Sequence, residues 1–214
     1  MKTNRTNVTR RNFLARSGLA AGAILAGGAA TSCRMLGIQG GRPRRPLPKF
    51  GFTTYQWGKD WDIPTIIANC QKAEAFGVEL RTSQSYAHGV ELDLNAEQRK
   101  EVKRQFRDSP VELVGLASGE RFDSPDPEKV KQAVENAKAF IKLDHDIGGS
   151  GVRVFPNSWH KGVPREKTIE QIGKALNVVG AFAADYGQEV RLEAHGTVGE
   201  LPSLKAVREH VTEP

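Results

Sequence analysis

Near the C-terminal end, Glu189-Val190-Arg191-Leu192-Glu193-Ala194-His195-Gly196 sets a cation, a carboxylate and an imidazole at alternate positions. The side chains of a strand alternate between two faces. Arg191, Glu193 and His195 then share one face, and Val190, Leu192 and Ala194 share the other. A carboxylate at the end of a strand can hold a hard cation or take a proton next to a carbonyl. An imidazole beside it can contact a ligand or orient the carboxylate. Helical patterns flank the strand on both sides, so its polar face is not the solvent side of a surface sheet. It suits a strand whose polar face points into a barrel lumen and ends at an active site.

The same alternation recurs upstream. Glu79 and Arg81 interleave with Val78 and Leu80, and Arg153 lies between Val152 and Val154. Strands are expected over Phe50–Trp57, Val78–Thr82, Val111–Ala117, Val152–Phe155 and from Glu189 to Gly196. Helices are expected between them. Asp62 caps the first, with Pro64 in its first turn, Ile63, Ile66, Ile67, Cys70 and Ala73 at helical spacing, and Gly77 as its stop. Asn95 and Gln98 form a capping-box pattern for a charged helix to Arg107. Asp126-Pro127 opens a third, after a loop over Ser118–Pro125, and Ile169 to Tyr186 carries a fourth that ends at Gly187. Leu201 to His210 forms a fifth. Successive βα units imply an α/β fold with a parallel sheet. Strands buried under helices on both faces read as continuous apolar runs. The alternating charge here favours a (β/α)8 barrel over an open doubly wound sheet, and no Gly-rich phosphate loop follows the first strand. Residues 50–214 hold only about five βα units, where a full barrel takes eight. The expectation is a partial barrel, either a truncated product or one completed by a second copy or a partner chain.

The charge is divided along the chain. Residues 1–49 hold ten of the 31 Lys/Arg and none of the 25 Asp/Glu, so the remainder carries 21 basic against 25 acidic residues, a net of −4. The body therefore offers no electrostatic case for nucleic acid. Thr9-Arg10-Arg11-Asn12-Phe13-Leu14-Ala15 followed by the mild apolar stretch Gly18–Ala30 reads as a twin-arginine signal over residues 1–33. It implies passage through the twin-arginine translocase, with an ordinary secretory signal as the alternative. Ala30-Thr31-Ser32-Cys33 is compatible with a lipoprotein box or with cleavage at a small residue nearby, so the expected location is periplasmic or a membrane-anchored lipoprotein. Residues 34–49, with Gly40-Gly41 and three prolines, read as a flexible linker. Cys33 and Cys70 lie in unlike contexts, which argues against a disulfide, and Cys70 reads as a buried small apolar residue.

Each candidate has a functional and a structural reading. Glu193 is a metal ligand or catalytic base, or else a lumen ion pair with Arg191 or Arg153. His195 touches substrate or supports Glu193, or makes a loop hydrogen bond. His88, after the second strand, binds a ligand hydroxyl or shuttles a proton, or is an exposed loop histidine. Glu120 hydrogen-bonds substrate or caps the following helix. Arg81 and Arg153 point inward and suit an anionic or polyhydroxy ligand, or neutralise Glu79 and Glu193. Tyr55, Gln56 and Trp57 lie at the mouth, where an aromatic can stack on a ligand ring, though Trp57 suits core packing better. Asp144-His145-Asp146 reads as a solvated helix end, Trp159 and His160 follow the fourth strand on the mouth side, and His210 reads as surface.

Three stretches carry a resemblance. Val78-Glu79-Leu80-Arg81-Thr82 leading to His88-Gly89-Val90-Glu91, the run Leu116 to Pro127 and Arg191-Leu192-Glu193-Ala194-His195-Gly196 resemble the second, third and fifth strands of exported sugar phosphate isomerase/epimerase-like proteins. These belong to the xylose isomerase-like TIM-barrel superfamily. The resemblance spans residues 50–214. It implies metal-assisted proton transfer adjacent to a carbonyl of a sugar or sugar derivative. It also implies a divalent metal (Mn, Mg, Co or Zn) held by carboxylates and histidine from strands five to eight. Glu193 matches the fifth-strand ligand, and the sequence contains no counterpart of the others. The chain alone is accordingly expected to be inactive, with an exported carbohydrate-binding or structural part-barrel as the alternative.

Overall fold

In the computed structural model, which describes residues 50–212, five parallel strands form one sheet in sequential order. They are β1 (Gly51–Thr53), β2 (Gly77–Arg81), β3 (Glu112–Arg121), β4 (Gly151–Phe155) and β5 (Glu189–Leu192). Five helices alternate with them: α1 (Ile63–Lys72), α2 (Ala96–Arg107), α3 (Pro127–Ile147), α4 (Arg165–Asp185) and α5 (Leu201–Glu209). The leader, Cys33 and linker expected in residues 1–49 lie outside the described residues. A doubly wound sheet reverses its strand order at a switch point. Here each strand pairs with its sequence neighbours and there is no reversal. With right-handed crossovers, that order puts every helix on the same face, as in a barrel.

The sheet also curls. In a flat sheet β1 and β5 would stand about 19 Å apart, four strand spacings. Yet Gly51, Phe52 and Thr53 of β1 and Arg191 of β5 line one cavity of about 410 Å³, together with Gly77, Glu79 and Val114. The face away from the helices is therefore concave. The partial (β/α)8 reading of the sequence holds.

The helix-facing side is the core. Val78, Leu80, Leu116, Val152 and Val154 from the strands bury against Ile66, Ile141, Ile172 and Val179 from the helices. Cys70 is a free, buried thiol within this layer, as its spacing implied. The helix starts also follow the sequence. Asp62 accepts from Thr65 N–H at 2.9 Å, and Asn95 and Gln98 make the reciprocal capping box. Asp126 caps α3, and Gly148 ends it in the left-handed region at φ 90°.

Several boundaries differ from expectation. β1 stops at Thr53 rather than Trp57, because buried Thr54 turns its hydroxyl to the Arg81 N–H, 2.9 Å away. α1 ends at Lys72, not at Gly77. Glu74 takes the left-handed conformation instead, at φ 53°, and Ala75 N–H returns to the Cys70 carbonyl. β3 runs on to Arg121 through the expected Ser118–Pro125 loop, because its ladder to β4 resumes at Arg121–Phe155 after an irregularity. β5 ends at Leu192, with one more ladder bond from Glu193 N–H to Val154 O at 3.0 Å.

The end of α3 departs furthest from a solvated terminus. His145 and Asp146 are exposed, but Asp144 is fully buried. One of its oxygens accepts Gly151 N–H at 2.8 Å, and the other has no hydrogen-bond partner. Burial pushes the Asp144 carboxyl up to about 7, against the pull of the Gly151 N–H and of Arg191. The site lies where α3 leads into β4, at the end of the strands away from the mouth, which in barrels serves stability. A raised carboxyl favours the folded state most when protonated. That contribution is complete below the ordinary value of 3.8 and disappears as the pH climbs through about 7, a difference of about 4 kcal/mol. Urea unfolding at about pH 5 and about pH 8 should show the part of this fall above pH 5, about 3 kcal/mol, in the native chain and a flatter profile in Asp144→Asn. Equal slopes in the two proteins would remove Asp144 as the cause.

Candidate functional site

The concave face carries a line of charge across three strands. Glu79 on β2, Arg153 on β4 and Glu193 just beyond β5 meet in sequence. Thr53 Oγ1 donates to Glu79 Oε2 at 2.7 Å, and Arg153 Nε lies 3.2 Å from the same oxygen. Arg153 Nη1 meets Glu193 Oε2. Burial depresses the Arg153 guanidinium below its ordinary value, Glu79 opposes that, and repulsion from Arg81 adds to it. A guanidinium nevertheless stays charged at any physiological pH. Of the two ion-pair partners considered for Glu193, the structure selects Arg153. Arg191 is drawn away toward the opposite end, where it donates to Val114 O at 2.9 Å and Ser150 Oγ at 2.8 Å and pairs with Glu189.

Arg81 stands in the same row as Arg153, through the pairings Arg81–Ala117 and Ala117–Arg153. Its guanidinium carbon sits 4.7 Å from the centre of the Tyr55 ring. Its Nε is buried without a hydrogen-bond partner. His88 lies behind it and is buried rather than exposed. His88 Nδ1 accepts Val90 N–H at 3.0 Å, so the proton is on Nε2, which donates to Arg81 O at 3.0 Å. Burial depresses the His88 imidazole and keeps it neutral. Both ring nitrogens thus bind backbone, and the side chain braces Arg81. Glu91 completes the loop by accepting the N–H groups of Ser83, Gln84 and Ser85 at 2.8 to 3.3 Å. Ser83 and Ser85 are held at φ 62° and 52°, so their amides converge on one carboxylate.

A second polar group joins the ends of β3 and β4, and the sequence reading missed its centre, Asp123. Asp123 is buried, and its Oδ2 receives His160 Nε2 at 2.9 Å, Ser158 N–H at 3.0 Å and Asn157 Nδ2 at 3.2 Å. His160 opens onto a cavity of about 420 Å³ shared with Glu120, Lys129 and Asn136. Glu120 is on β3 and not in a loop. Asn136 of α3 donates to it at 3.4 Å, and burial raises its carboxyl above the ordinary value. The one available signal was polarity, since an aspartate in a Pro-rich loop and a histidine five residues past a strand carry no periodic pattern.

The remaining candidates lie at the mouth. His195 is exposed, with its ring 4.8 Å from that of Phe155. Gly196 takes φ 69° beneath it, against the Asn157 carbonyl, and this is the turn that ends the strand region. Trp57 is 68% exposed and stacks on Phe52, so it is not a core residue. The mouth therefore brings Arg81, Arg153, Glu193 and Tyr55 to one face, while Glu120 and His160 face a neighbouring cavity.

A family model described as "Xylose isomerase-like TIM barrel" matches residues 67–214. The chain belongs to this family. Solved structures with the same fold include 3-keto-D-glucoside 4-epimerase, YcjR, from E. coli, at 15% identity and a TM-score of 0.55 over 68% of this chain and 55% of that one. D-psicose 3-epimerase from Clostridium cellulolyticum H10 aligns at 17% identity and a TM-score of 0.61, over 77% of this chain and 62% of that one. The IOLI protein with a binding zinc atom aligns at 16% identity and a TM-score of 0.58, over 68% and 51%. Identities this low establish the fold alone. The chain spans between about half and three fifths of the length of these structures. No curated protein sequence matches it.

The xylose isomerase-like family implies a divalent metal, and the residues present do not make a site for one. Among the described residues no three His, Cys, Asp or Glu side chains converge to hold an ion, and Glu193 faces a guanidinium. Arg153 is the residue on which the concave face turns. Arg153→Met leaves Glu79 and Glu193 without their shared cation and should cost about 2 kcal/mol, read by urea unfolding. Arg153→Met combined with Glu79→Gln should cost less than the sum of the two, by about 1 kcal/mol. Strict additivity would show that the contact contributes nothing.

Proposed function

We propose that the concave face binds a sugar or sugar derivative, in a scaffold built for isomerisation or epimerisation by proton transfer adjacent to a carbonyl. The fold supports this reading as that of sugar epimerases and isomerases. The observation that carries it is the convergence of Glu79, Arg81, Arg153 and Glu193 at the strand ends, beside Tyr55. Arginine forks and carboxylates hydrogen-bond vicinal hydroxyls, and an exposed aromatic ring can cover an apolar sugar face. Glu193 is placed to take the proton from a carbon beside a carbonyl. With a complete donor set it would also be one ligand to Mn, Mg, Co or Zn, and no step is assigned to a metal with the donors described.

As the chain stands, Arg153 engages Oε2 of Glu193, one of its two carboxylate oxygens, and no group of ligands for a metal converges among the described residues. The chain is therefore expected to bind sugar without turning it over. Purified full chain should show millimolar-range binding of D-psicose or D-tagatose by calorimetry and no interconversion of the two by chromatography. Measurable interconversion would overturn the inactivity, and absence of binding to either sugar would overturn the reading itself.

The second reading is an exported part-barrel that only binds carbohydrate, and the Glu193–Arg153 pair favours it. A partner chain or second copy completing the sheet is part of both readings. Among the described residues β1 and β5 each have one strand neighbour, and α4, β5 and α5 border an apolar groove of about 450 Å³. Export rests on the Arg10-Arg11 leader. Arg10→Lys with Arg11→Lys should retain the chain in the cytoplasm, and unchanged export would remove the twin-arginine assignment. A body charge of −4 disfavours nucleic acid as a ligand.

A further inference from the structure

We infer that Arg81 and Tyr55 form a subsite for the carboxylate of an acidic sugar, of the hexuronate type, at the mouth of the concave face. The inference rests on the sugar-binding reading above and specifies its substrate class. Four observations carry it. First, Arg81 has no ion-pair partner among the described residues, whereas Arg153 beside it has two. Second, its Nε is buried and has no acceptor. No protein oxygen therefore competes with a ligand for the exposed part of this guanidinium.

Third, the side chain is held in place before any ligand arrives. The Arg81 N–H donates to the hydroxyl of buried Thr54 at 2.9 Å, and its carbonyl accepts from buried His88 at 3.0 Å. The guanidinium packs on the Tyr55 ring at 4.7 Å, while Tyr55 remains 45% exposed. Stacking of this kind fixes the plane of the fork and leaves its edge free for two parallel N–H···O bonds. Fourth, the nearby charges set the size of the anion. Glu79 and Glu193 both face Arg153, and with Arg81 the group of four is neutral. A monoanion adds one negative charge next to a guanidinium. A phosphate dianion would add nearly two, against two resident carboxylates. Geometry and charge together select a carboxylate.

The test titrates the full chain at low ionic strength with D-glucuronate, D-glucose, D-glucose 6-phosphate and propionate. Glucuronate should bind about tenfold more tightly than glucose, and added salt should narrow the gap. Arg81→Met should bring glucuronate to the level of glucose. Tyr55→Leu, at a position outside the apolar core, removes the stacking partner of Arg81, should reduce the preference several-fold and serves if Arg81→Met does not fold. Equal affinity for glucuronate and glucose, or a preference that survives both substitutions, would overturn the inference while leaving sugar binding intact. Glucose 6-phosphate binding as tightly as glucuronate would overturn the choice of carboxylate. Propionate binding without glucose binding would support the anion site and remove the sugar reading, and binding of none of the four would overturn both.

Discussion

The concave face depends on one guanidinium. Parallel strands with every helix on one side leave the other side lined by alternate residues of each strand, and here β2, β4 and the end of β5 set Glu79, Arg81, Arg153 and Glu193 on it. Charges brought onto a partly dehydrated face must be paired or the face is unstable. Arg153 does this for β2, β4 and β5 at once, because it reaches Glu79 on one side and Glu193 on the other. The backbone ladders join only neighbouring strands, whereas this contact runs across the sheet. It also explains why the face can be both polar and ordered.

Around that centre the loops are set by carboxylates that collect backbone amides. Glu91 gathers three N–H groups after β2, and Asp123 gathers Ser158 N–H with the side chains of Asn157 and His160 after β3 and β4. Each carboxylate replaces hydrogen bonds that irregular backbone would otherwise lack. His88 belongs to the same scheme, since it spends both ring nitrogens on the loop that holds Arg81. The mouth is thus shaped by residues whose polar atoms are spent on the protein itself, around the face that carries Arg81, Tyr55 and the Arg153–Glu193 pair.

The strand–helix alternation, the capping residues and the apolar faces were legible because each is local and periodic. Asp62, Asn95 and Asp126 cap the helices that they precede in sequence. The inward direction of Glu79, Arg81, Arg153 and Glu193 followed from parity alone. Element ends were less legible. β3 gained its last residues from pairing with β4, and α1 stopped early through a left-handed Glu74, neither of which has a local signature. His88 looked like a loop histidine because its partners, a carbonyl and an amide, have no side-chain identity to read. Asp144 looked solvated because its flanking residues are polar, yet the helix turn carries it beneath β4.

The sequence by itself thus determined the units: five strand–helix repeats, their caps, and which side of each strand is charged. Those properties depend on neighbours within a turn or two of chain. Tertiary structure alone decided the strand order, the curl that brings β1 and β5 to one cavity, and the choice of Arg153 rather than Arg191 as the partner of Glu193. These are contacts between residues tens of positions apart. Parity places two arginines on the same face, but only the register and the distance between strands determine which of them reaches the carboxylate.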